Sequence, residues 1–349
     1  MSNSSYNVNS SYNVNNPKPL INREQNYVLD RKLVSIHSED RDVTQFPYPN
    51  LFSITLPQHL LNVQSLRLVQ TTFPTTFYIF SKEYQNTKFR FTYNNEYYCV
   101  EIQEGSYTQC QLATELTNVM NNAVGSIIFN VFYDVVGNKF WFGGTKEFIL
   151  DFDCKMEYPE ALCNITPIWF QYAKWGLPYY LGYKKQQYVA EFGNIPLINY
   201  LPLADPSDPA SDITWMVTPD KNVINIDGEK DIYMEVDKYN SYDEVYPYTE
   251  SDKSSYNNNS NTGHVDSAFA KIPIENVTIQ DSRNLTLINF VQYEPPIERI
   301  TKLLFKFRFH DGRLVDFRGL DFSFTIEFNM LKSEILRNKN IRVPAMLQL

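Results

Sequence analysis

The 349-residue chain is poor in glycine, histidine and cysteine, with only 12, 4 and 4 residues of each. Scarce glycine leaves few positions for loops that cradle phosphate groups, and neither GxxxxGK[ST] nor GxGxxG occurs. The sequence also contains no GxSxG elbow and no HExxH spacing, which argues against common serine hydrolases and zinc enzymes. No apolar run approaches the ~18 residues that a membrane-spanning helix requires. We therefore assign no catalytic residues, no cofactor-binding residues and no metal ligands.

Basic residues are outnumbered, with 31 Lys and Arg against 40 Asp and Glu, and the formal net charge is −9. An acidic chain without a basic block is poorly suited to neutralising nucleic-acid phosphates. Its hydrophobic content of 43% and aromatic content of 15% exclude a disordered protein and suffice for a large core. The cysteines show no CxxC spacing, and no secretory signal precedes them, so we expect reduced, packed thiols in a protein made in the cytosol. These are Cys99, Cys110, Cys154 and Cys163.

Polar low-complexity segments occur at the N-terminus and in two long loops. Residues 4–9 and 10–15 repeat the hexapeptide SSYNVN, which predicts a flexible tail over residues 1–26 or an arm that orders against a partner. Neither the Pro- and Asp-rich stretch 201–212 nor the Tyr/Asn/Ser-rich stretch 239–263 resembles a strand. We expect residues 1–26 and 239–263 to be cleaved by proteases in the free protein.

Elsewhere apolar and polar residues alternate, as is typical of antiparallel strands with one buried face. The pattern predicts a mainly β fold. Asp227-Gly228 and Asp311-Gly312 predict tight hairpin turns, because glycine readily supplies a positive φ. The predicted strands include Asn50–Leu56, Leu66–Phe73, Lys88–Tyr93, Tyr98–Gln103, Ile127–Asp134, Lys139–Phe142, Val223–Ile226, Asp231–Val236, Leu304–Phe309, Leu314–Phe317 and Asp321–Phe328.

One segment has helical spacing instead. Apolar residues from Leu112 to Ala123 recur every three or four positions, and Thr108 with Gln111 forms a capping box. The strand pairs on either side predict a ββ-α-ββ subdomain. The predicted organisation is a tail over 1–26, a discontinuous β-sandwich over 27–79 and 184–335, an inserted α+β subdomain over 80–183, and a tail over 336–349.

Isolated polar groups were weighed as possible sites of chemistry. The histidines have no paired spacing, and turn positions predict surface side chains for them. Two carboxylate clusters could hold Ca²⁺ but lack the spacing of a known loop, so a solvated acidic edge is the favoured interpretation. These residues are His37, His59, His264 and His310, then Glu147, Asp151, Asp153 and Glu157, and finally Asp205, Asp208 and Asp212.

Basic residues gather near the C-terminus, and Lys306, Arg308 and Arg313 form the candidate interface. Lys306 and Arg308 alternate with Phe305, Phe307 and Phe309, so we expect the two basic side chains to face outward. In an acidic protein such a strip suits docking to a partner's carboxylates better than binding DNA.

Three stretches of the chain carry a recognisable combination of motifs. The first reads VSIHSEDRDVTQFPYP from Val34, followed by NLFSITLP and NVQSLRLVQTTFP. The second reads YMEVDKYNSYDEVYPYTES from Tyr233 and, after an Asn-rich loop, HVDSAFAKIPI. The third reads PPIERITKLLFKFRFHDGRLVDF, then DFSFTIEF. In order over most of residues 30–330, these stretches resemble the minor capsid proteins of large icosahedral nucleocytoplasmic DNA viruses, the chlorovirus and mimivirus-like group.

The resemblance implies a non-enzymatic component of a virus shell, beneath or between capsomers of a double-jelly-roll major capsid protein. We accordingly predict a jelly-roll-like sandwich that carries the inserted subdomain. Its expected location is the virion, on the inner face of the capsid, after synthesis in the host cytoplasm. Expected partners are the major capsid protein and other minor capsid proteins, with no cofactor and no direct nucleic acid; proximity to an internal virion membrane stays open.

Two alternatives remain at this point. One is a penton, vertex or fibre-base protein of the same kind of virion, which would be distinguished by a position at five-fold vertices. The other is a carbohydrate-binding or hydrolytic β protein, which would need paired carboxylates about 5–10 Å apart in a cleft. The sequence offers no such pair that can be named.

Overall fold

The computed structural model describes residues 27–74, 77–167, 176–193, 213–220, 224–245, 265–274, 279–283 and 291–333. Antiparallel strands dominate these ranges, which confirms the predicted mainly β fold class and is compatible with a jelly-roll-like sandwich. The elements in chain order are β1 (Tyr27–His37), β2 (Leu51–Pro74), β3 (Lys88–Tyr93), β4 (Glu96–Glu101), α1 (Gln109–Val124), β5 (Phe129–Asp134), β6 (Lys139–Gly144), β7 (Phe148–Asp151), α2 (Leu177–Tyr180), β8 (Gln187–Val189), β9 (Glu191–Phe192), β10 (Trp215–Val217), β11 (Asp231–Val236), β12 (Tyr242–Val245), β13 (Val265–Ala268), β14 (Ala270–Pro273), β15 (Ile279–Arg283), β16 (Val291–Arg308) and β17 (Ser323–Ser333).

A seven-stranded sheet forms the largest unit of the fold. Its strands follow the order β1-β17-β2-β16-β11-β14, and β15 pairs with β2. The β1 strand pairs antiparallel with β17 along its whole length. The sequence pattern did not predict β1, because its apolar residues are interrupted by Asp30, Arg31 and Lys32.

The 24-residue strand β2 bends back on itself. A straight strand of that length would separate its ends by about 80 Å. Yet Phe52 and Phe73, near its two ends, both contact the ring of Phe307, at centroid distances of 6.4 and 5.5 Å. The bend coincides with Pro57 and with the positive φ of Asn62, where the register with the neighbouring strands shifts. The predicted strands Asn50–Leu56 and Leu66–Phe73 are therefore the two arms of one strand.

The arms of β2 enclose an aromatic core, as the alternating sequence predicts. The rings of Phe305 and Phe324 lie 4.9 Å apart, and those of Phe307 and Phe322 lie 5.0 Å apart. These contacts join β16 to β17 and to Phe322, the residue just before β17, across the sandwich. The predicted continuous layer is confirmed, and all its members are buried: Phe305, Phe307, Phe309, Phe322, Phe324, Ile326 and Phe328.

The two predicted hairpins have different outcomes. At Asp311-Gly312 the turn is confirmed: Gly312 has φ +86°, and the Phe309 N–H donates to the Arg313 carbonyl at 2.8 Å. The returning segment makes one bridge, Arg308 to Leu314, and forms no strand. At Asp227-Gly228 the hairpin is wrong, because β11 takes β14 and β16 as partners and residues 224–226 lie outside any strand.

The prediction that residues 239–263 contain no strand is also wrong for its first part. Residues 242–245 form β12, which pairs with β13 along its length. Tyrosine and valine favour such pairing once a partner strand is present, and the partner lies beyond the loop. The predictions for residues 1–26 and 201–212, and for residues 246–263 of this loop, lie outside the described residues.

A second core surrounds α1, which begins where the sequence predicts. Thr108 and Gln111 form the reciprocal capping box, and Gly125 ends the helix with φ +73°. Leu112, Leu116 and Met120 are buried against two four-stranded sheets, β5-β6-β10-β9 and β4-β3-β7-β8. The core extends past residue 183 to Ala190, Val217 and Ile226. The domain boundaries themselves stay a prediction.

Removal of one buried ring should measure what the aromatic core contributes. We expect Phe307→Ala to lower the free energy of unfolding by about 3–5 kcal/mol, since it empties a ring-sized space in a closely packed layer. Urea unfolding provides the measurement. The matched control is Phe192→Ala. Because Phe192 is 71% exposed, this change should lower the free energy of unfolding by about 0.5 kcal/mol or less. Equal losses in the two variants would contradict this description of the core.

Candidate functional site

Strand β16 places Lys306 and Arg308 two residues apart, but in different surroundings. The prediction that Arg308 faces outward is wrong, because only 1% of it is exposed. Its guanidinium forms ion pairs with Glu235 of β11 and Glu244 of β12. The Lys306 side chain is 39% exposed, and its Nζ lies 3.3 Å from Glu235. Alternation along β16 is broken at Arg308 because β12 and the Asp311-Gly312 turn cover that end of the strand.

Five side chains form this first charged cluster, which we call the β12 clamp: Glu235, Glu244, Lys306, Arg308 and His310. Burial alone would lower the pKa of Arg308, but the hydrogen bond to Glu235 and the charge of Glu244 raise it. Burial alone would raise the pKa of Glu244, but the hydrogen bond with His310 and the Arg308 charge hold it below its usual value. His310 Nδ1 lies 2.7 Å from Glu244. The clamp therefore fixes β12 to β16 through charged groups.

Arg313, the third residue of the predicted interface, is also buried. The turn at Gly312 brings its guanidinium back over Asp311, to which Nε donates at 2.7 Å. The same group donates to Glu229 at 2.9 Å and to the Tyr180 hydroxyl at 3.2 Å. Burial opposes the charge, yet the Asp311 carboxylate, supported by Glu229, holds the pKa of Arg313 well above its usual range. Arg313 thus joins a turn of the first core to a helix of the second.

Further hydrogen bonds beside Arg313 join the side chains of Asn164 and Tyr84 to the backbone of residues 314–316. The Asn164 side chain accepts from the Leu314 N–H at 2.8 Å and donates to the Leu314 carbonyl at 3.2 Å. The Tyr84 hydroxyl accepts from the Asp316 N–H at 3.0 Å. We call these contacts, together with those of Arg313, the polar seam. The donors and acceptors of the polar seam satisfy one another. Separation of the two cores would therefore leave several polar groups without hydrogen-bond partners.

A cavity of about 470 Å³ opens along the polar seam. Phe309 and Tyr84 line it from the first core, and Tyr180 lines it from the second. Arg313 forms part of its wall, but the carboxylates beside that residue already neutralise its charge. The cavity is therefore a gap at the junction of two cores, and we assign it no reaction.

Other predicted candidates do not converge on a site. His310 occupies a turn, but it binds Glu244; His37 and His59 are exposed, and His264 lies outside the described residues. In the described ranges no three His, Cys, Asp or Glu side chains are grouped as metal ligands. Asp151 is buried, accepting from Gln187 at 3.1 Å, whereas Asp205, Asp208 and Asp212 are not described.

The four cysteines are free thiols, as predicted, but Cys99 and Cys110 are exposed, so the expectation of packing is wrong for these two. Burial raises the pKa of the Cys163 thiol, and its hydrogen bond to Glu83 adds to the effect. No helix within the described ranges has the length and hydropathy needed to cross a membrane.

Sequence reasoning missed the acidic members of both clusters. Glu235 lies on the same face of β11 as Tyr233 and directly opposite Lys306 of β16. Knowledge that β11 pairs with β16 would therefore have identified Glu235 as a partner of Lys306. Glu229 and Glu244 carry no local signal, because they lie 84 and 66 residues from their basic partners.

No family model and no curated protein matches the sequence. Among solved structures, the chain is similar to one in the cryo-EM structure of the Sputnik virophage, with a TM-score of 0.38 and 13% identity over 88% of this chain and 98% of that chain. It is also similar to the mavirus penton protein, with a TM-score of 0.34 and 10% identity over 87% of this chain and 99% of that chain. At these TM-scores neither likeness defines the function of this chain.

The β12 clamp predicts unequal costs at two neighbouring positions. We expect Arg308→Met to lower the free energy of unfolding by about 3–5 kcal/mol, because it leaves Glu235 and Glu244 without their buried cation. Lys306→Met, on the same strand, should cost about 1 kcal/mol or less, since its ion pair is solvent-accessible. Chemical denaturation of both variants tests this; equal costs would show that Arg308 is not the centre of the clamp.

The lowered pKa of Glu244 predicts that the free energy of unfolding depends on pH. Its pKa is lower in the folded state, so it stabilises the fold above its unfolded pKa. That stabilisation is lost as the pH falls below about 5 and through the folded pKa. We therefore expect the stability gap between wild type and Glu244→Gln to narrow as urea unfolding is repeated from pH 7 to acid. A gap that stays constant would contradict an ionised Glu244 in the clamp.

Proposed function

We propose that this chain is a minor structural protein of the capsid of a large icosahedral double-stranded DNA virus, where it cements or braces capsomers. The observation that carries the proposal is the position of the three stretches that resemble minor capsid proteins. They supply all or part of every strand of the seven-stranded sheet except β15, and the segment between Phe80 and Ile226 supplies the second core. The resemblance therefore follows one structural unit.

The use of ionisable groups supports a structural role. Arg308 and Arg313 are held by carboxylates of the same chain, and these pairs join strands or cores. In the cavity at the polar seam, the charge of Arg313 is paired with Glu229 and Asp311, and aromatic rings form much of the wall. Buried ion pairs that hold the strands and cores of one chain together suit a structural protein placed between neighbouring subunits. We assign the chain no enzymatic reaction.

Lys306 is the member of the predicted interface whose charge remains accessible. We propose that it faces carboxylates of the major capsid protein or another minor capsid protein on the inner side of the shell. Arg308 and Arg313 contribute to that interface indirectly, by fixing the strand and turn that carry it. The inserted subdomain would then be free to contact a second neighbour. Synthesis in the host cytoplasm precedes incorporation.

A cryo-EM reconstruction of the particle of the virus that encodes this chain tests the function directly. Density for the seven-stranded sheet beneath or between capsomers would support the proposal. Density restricted to the five-fold vertices would assign a penton or vertex protein instead. Absence of the chain from purified particles would overturn a capsid role.

Removal of one accessible charge gives a binding test in solution. We expect Lys306→Gln to weaken co-sedimentation with purified capsomers by about two- to fivefold, with a stronger effect at low salt, because exposed charges act mainly through long-range attraction. Lys155→Gln is the matched control, since Lys155 has similar exposure and belongs to a surface loop far along the chain. An equal effect of both changes would contradict a specific role of Lys306.

A further inference from the structure

Strand β1 is the outermost strand of the seven-stranded sheet. It pairs with β17 over all 11 of its residues, and in the described part of the chain no strand pairs with its other edge. Half of the amide and carbonyl groups of an edge strand point away from the sheet and are available to another chain. The edge of β1 is long and contains no proline or bulge that would block such pairing.

The exposed face of β1 carries apolar side chains. Leu29 and Leu33 are 54% and 55% exposed, and Arg31 lies between them. Glu327 of β17 forms an ion pair with Arg31, so the central charge of this face is neutralised within the chain. Natural edge strands usually carry unpaired charges that discourage association. The outward face of this edge has instead two exposed leucines around an arginine that is paired within the chain.

The sequence of β1 is complementary to itself in one antiparallel register. When Arg31 of one copy lies opposite Arg31 of another, Leu29 lies opposite Leu33 and Asp30 lies opposite Lys32. The two-fold symmetry repeats both pairs, so each dimer has two apolar pairs on one face and two opposite-charge pairs on the other. In the single chain Asp30 forms an ion pair with Lys332, and Lys32 donates to Gln58, so the charges across the axis add to these contacts. Directly opposite residues in an antiparallel pair share a face, and their side chains interact.

We propose that two copies of this chain associate through their β1 strands, antiparallel and centred on Arg31, so that the two seven-stranded sheets become continuous across a two-fold axis. The partner is a second copy, because the complementarity belongs to the sequence of β1 itself. This inference does not depend on the capsid role. A single pair of strands makes a small interface, so we expect a dissociation constant on the order of micromolar.

Charge exchange tests the register with the full-length chain. Analytical ultracentrifugation should show a concentration-dependent dimer for the wild type. Asp30→Lys places a lysine opposite Lys32 in each of the two symmetry-related pairs. The repulsion should weaken the dimer by about tenfold or more. The double variant Asp30→Lys/Lys32→Asp restores opposite charges in the same register and should recover most of the affinity. A wild type that stays monomeric up to high micromolar concentration, or a double variant as weak as the single, would overturn the proposal.

A symmetric crosslink tests the position of the axis. Opposite residues in antiparallel strands have Cα atoms about 4.5–5.5 Å apart, which lies within the range that a disulfide can bridge. In a background with Cys99, Cys110, Cys154 and Cys163 changed to serine, Arg31→Cys should give a disulfide-linked dimer on oxidation by glutathione disulfide. Ser35→Cys, exposed on the same face, is the matched control, because the two copies of residue 35 would be about 27 Å apart.

Linkage at position 31 without linkage at position 35 supports the proposed axis. Efficient linkage at position 35, or none at either position, contradicts it. Circular dichroism and urea unfolding of each variant confirm that the cysteine changes leave the fold intact, so that absent linkage reports on the interface and not on unfolding.

Discussion

The bend of β2 is the constraint on which the rest of this structure depends. One strand supplies hydrogen-bonding partners to β17 on one side and to β16 and β15 on the other. Because its arms face each other, residues near both ends meet the same Phe307 ring. The backbone groups of such a long strand need partners, and the long strands β16 and β17 supply most of them. The aromatic core follows, since those strands bring their phenylalanines to the enclosed space.

Buried charge then holds the periphery of this core in place. The β12 clamp ties a short two-stranded unit to the end of β16, and the polar seam joins the core to the one around α1. A buried ion pair adds little net stability compared with apolar packing, but loss of one partner is costly. Such groups therefore specify which elements meet, while the phenylalanines supply most of the driving force.

This division of labour removes two of the three predicted interface cations, Arg308 and Arg313, from the surface. Arg308 and Arg313 are paired with carboxylates of the same chain, so neither is available to an outside partner. Under the proposed capsid role, contacts with neighbours would involve exposed strand edges, lysines such as Lys306, and apolar side chains such as Leu29 and Leu33. A shell protein with these properties would join its neighbours through sheets and loops more than through a basic patch.

The amino-acid sequence alone determined the local features of this protein. Alternation identified the phenylalanine strands, and the Thr108 capping box located α1, because both depend on residues within a few positions of each other. It also indicated the turn at Gly312, where the backbone conformation favours glycine. Only the tertiary structure decided that two predicted strands are the arms of β2, and that Arg308 and Arg313 face inward. Their partners lie up to 84 residues away, and no local pattern records which distant carboxylate will share a buried position with a guanidinium.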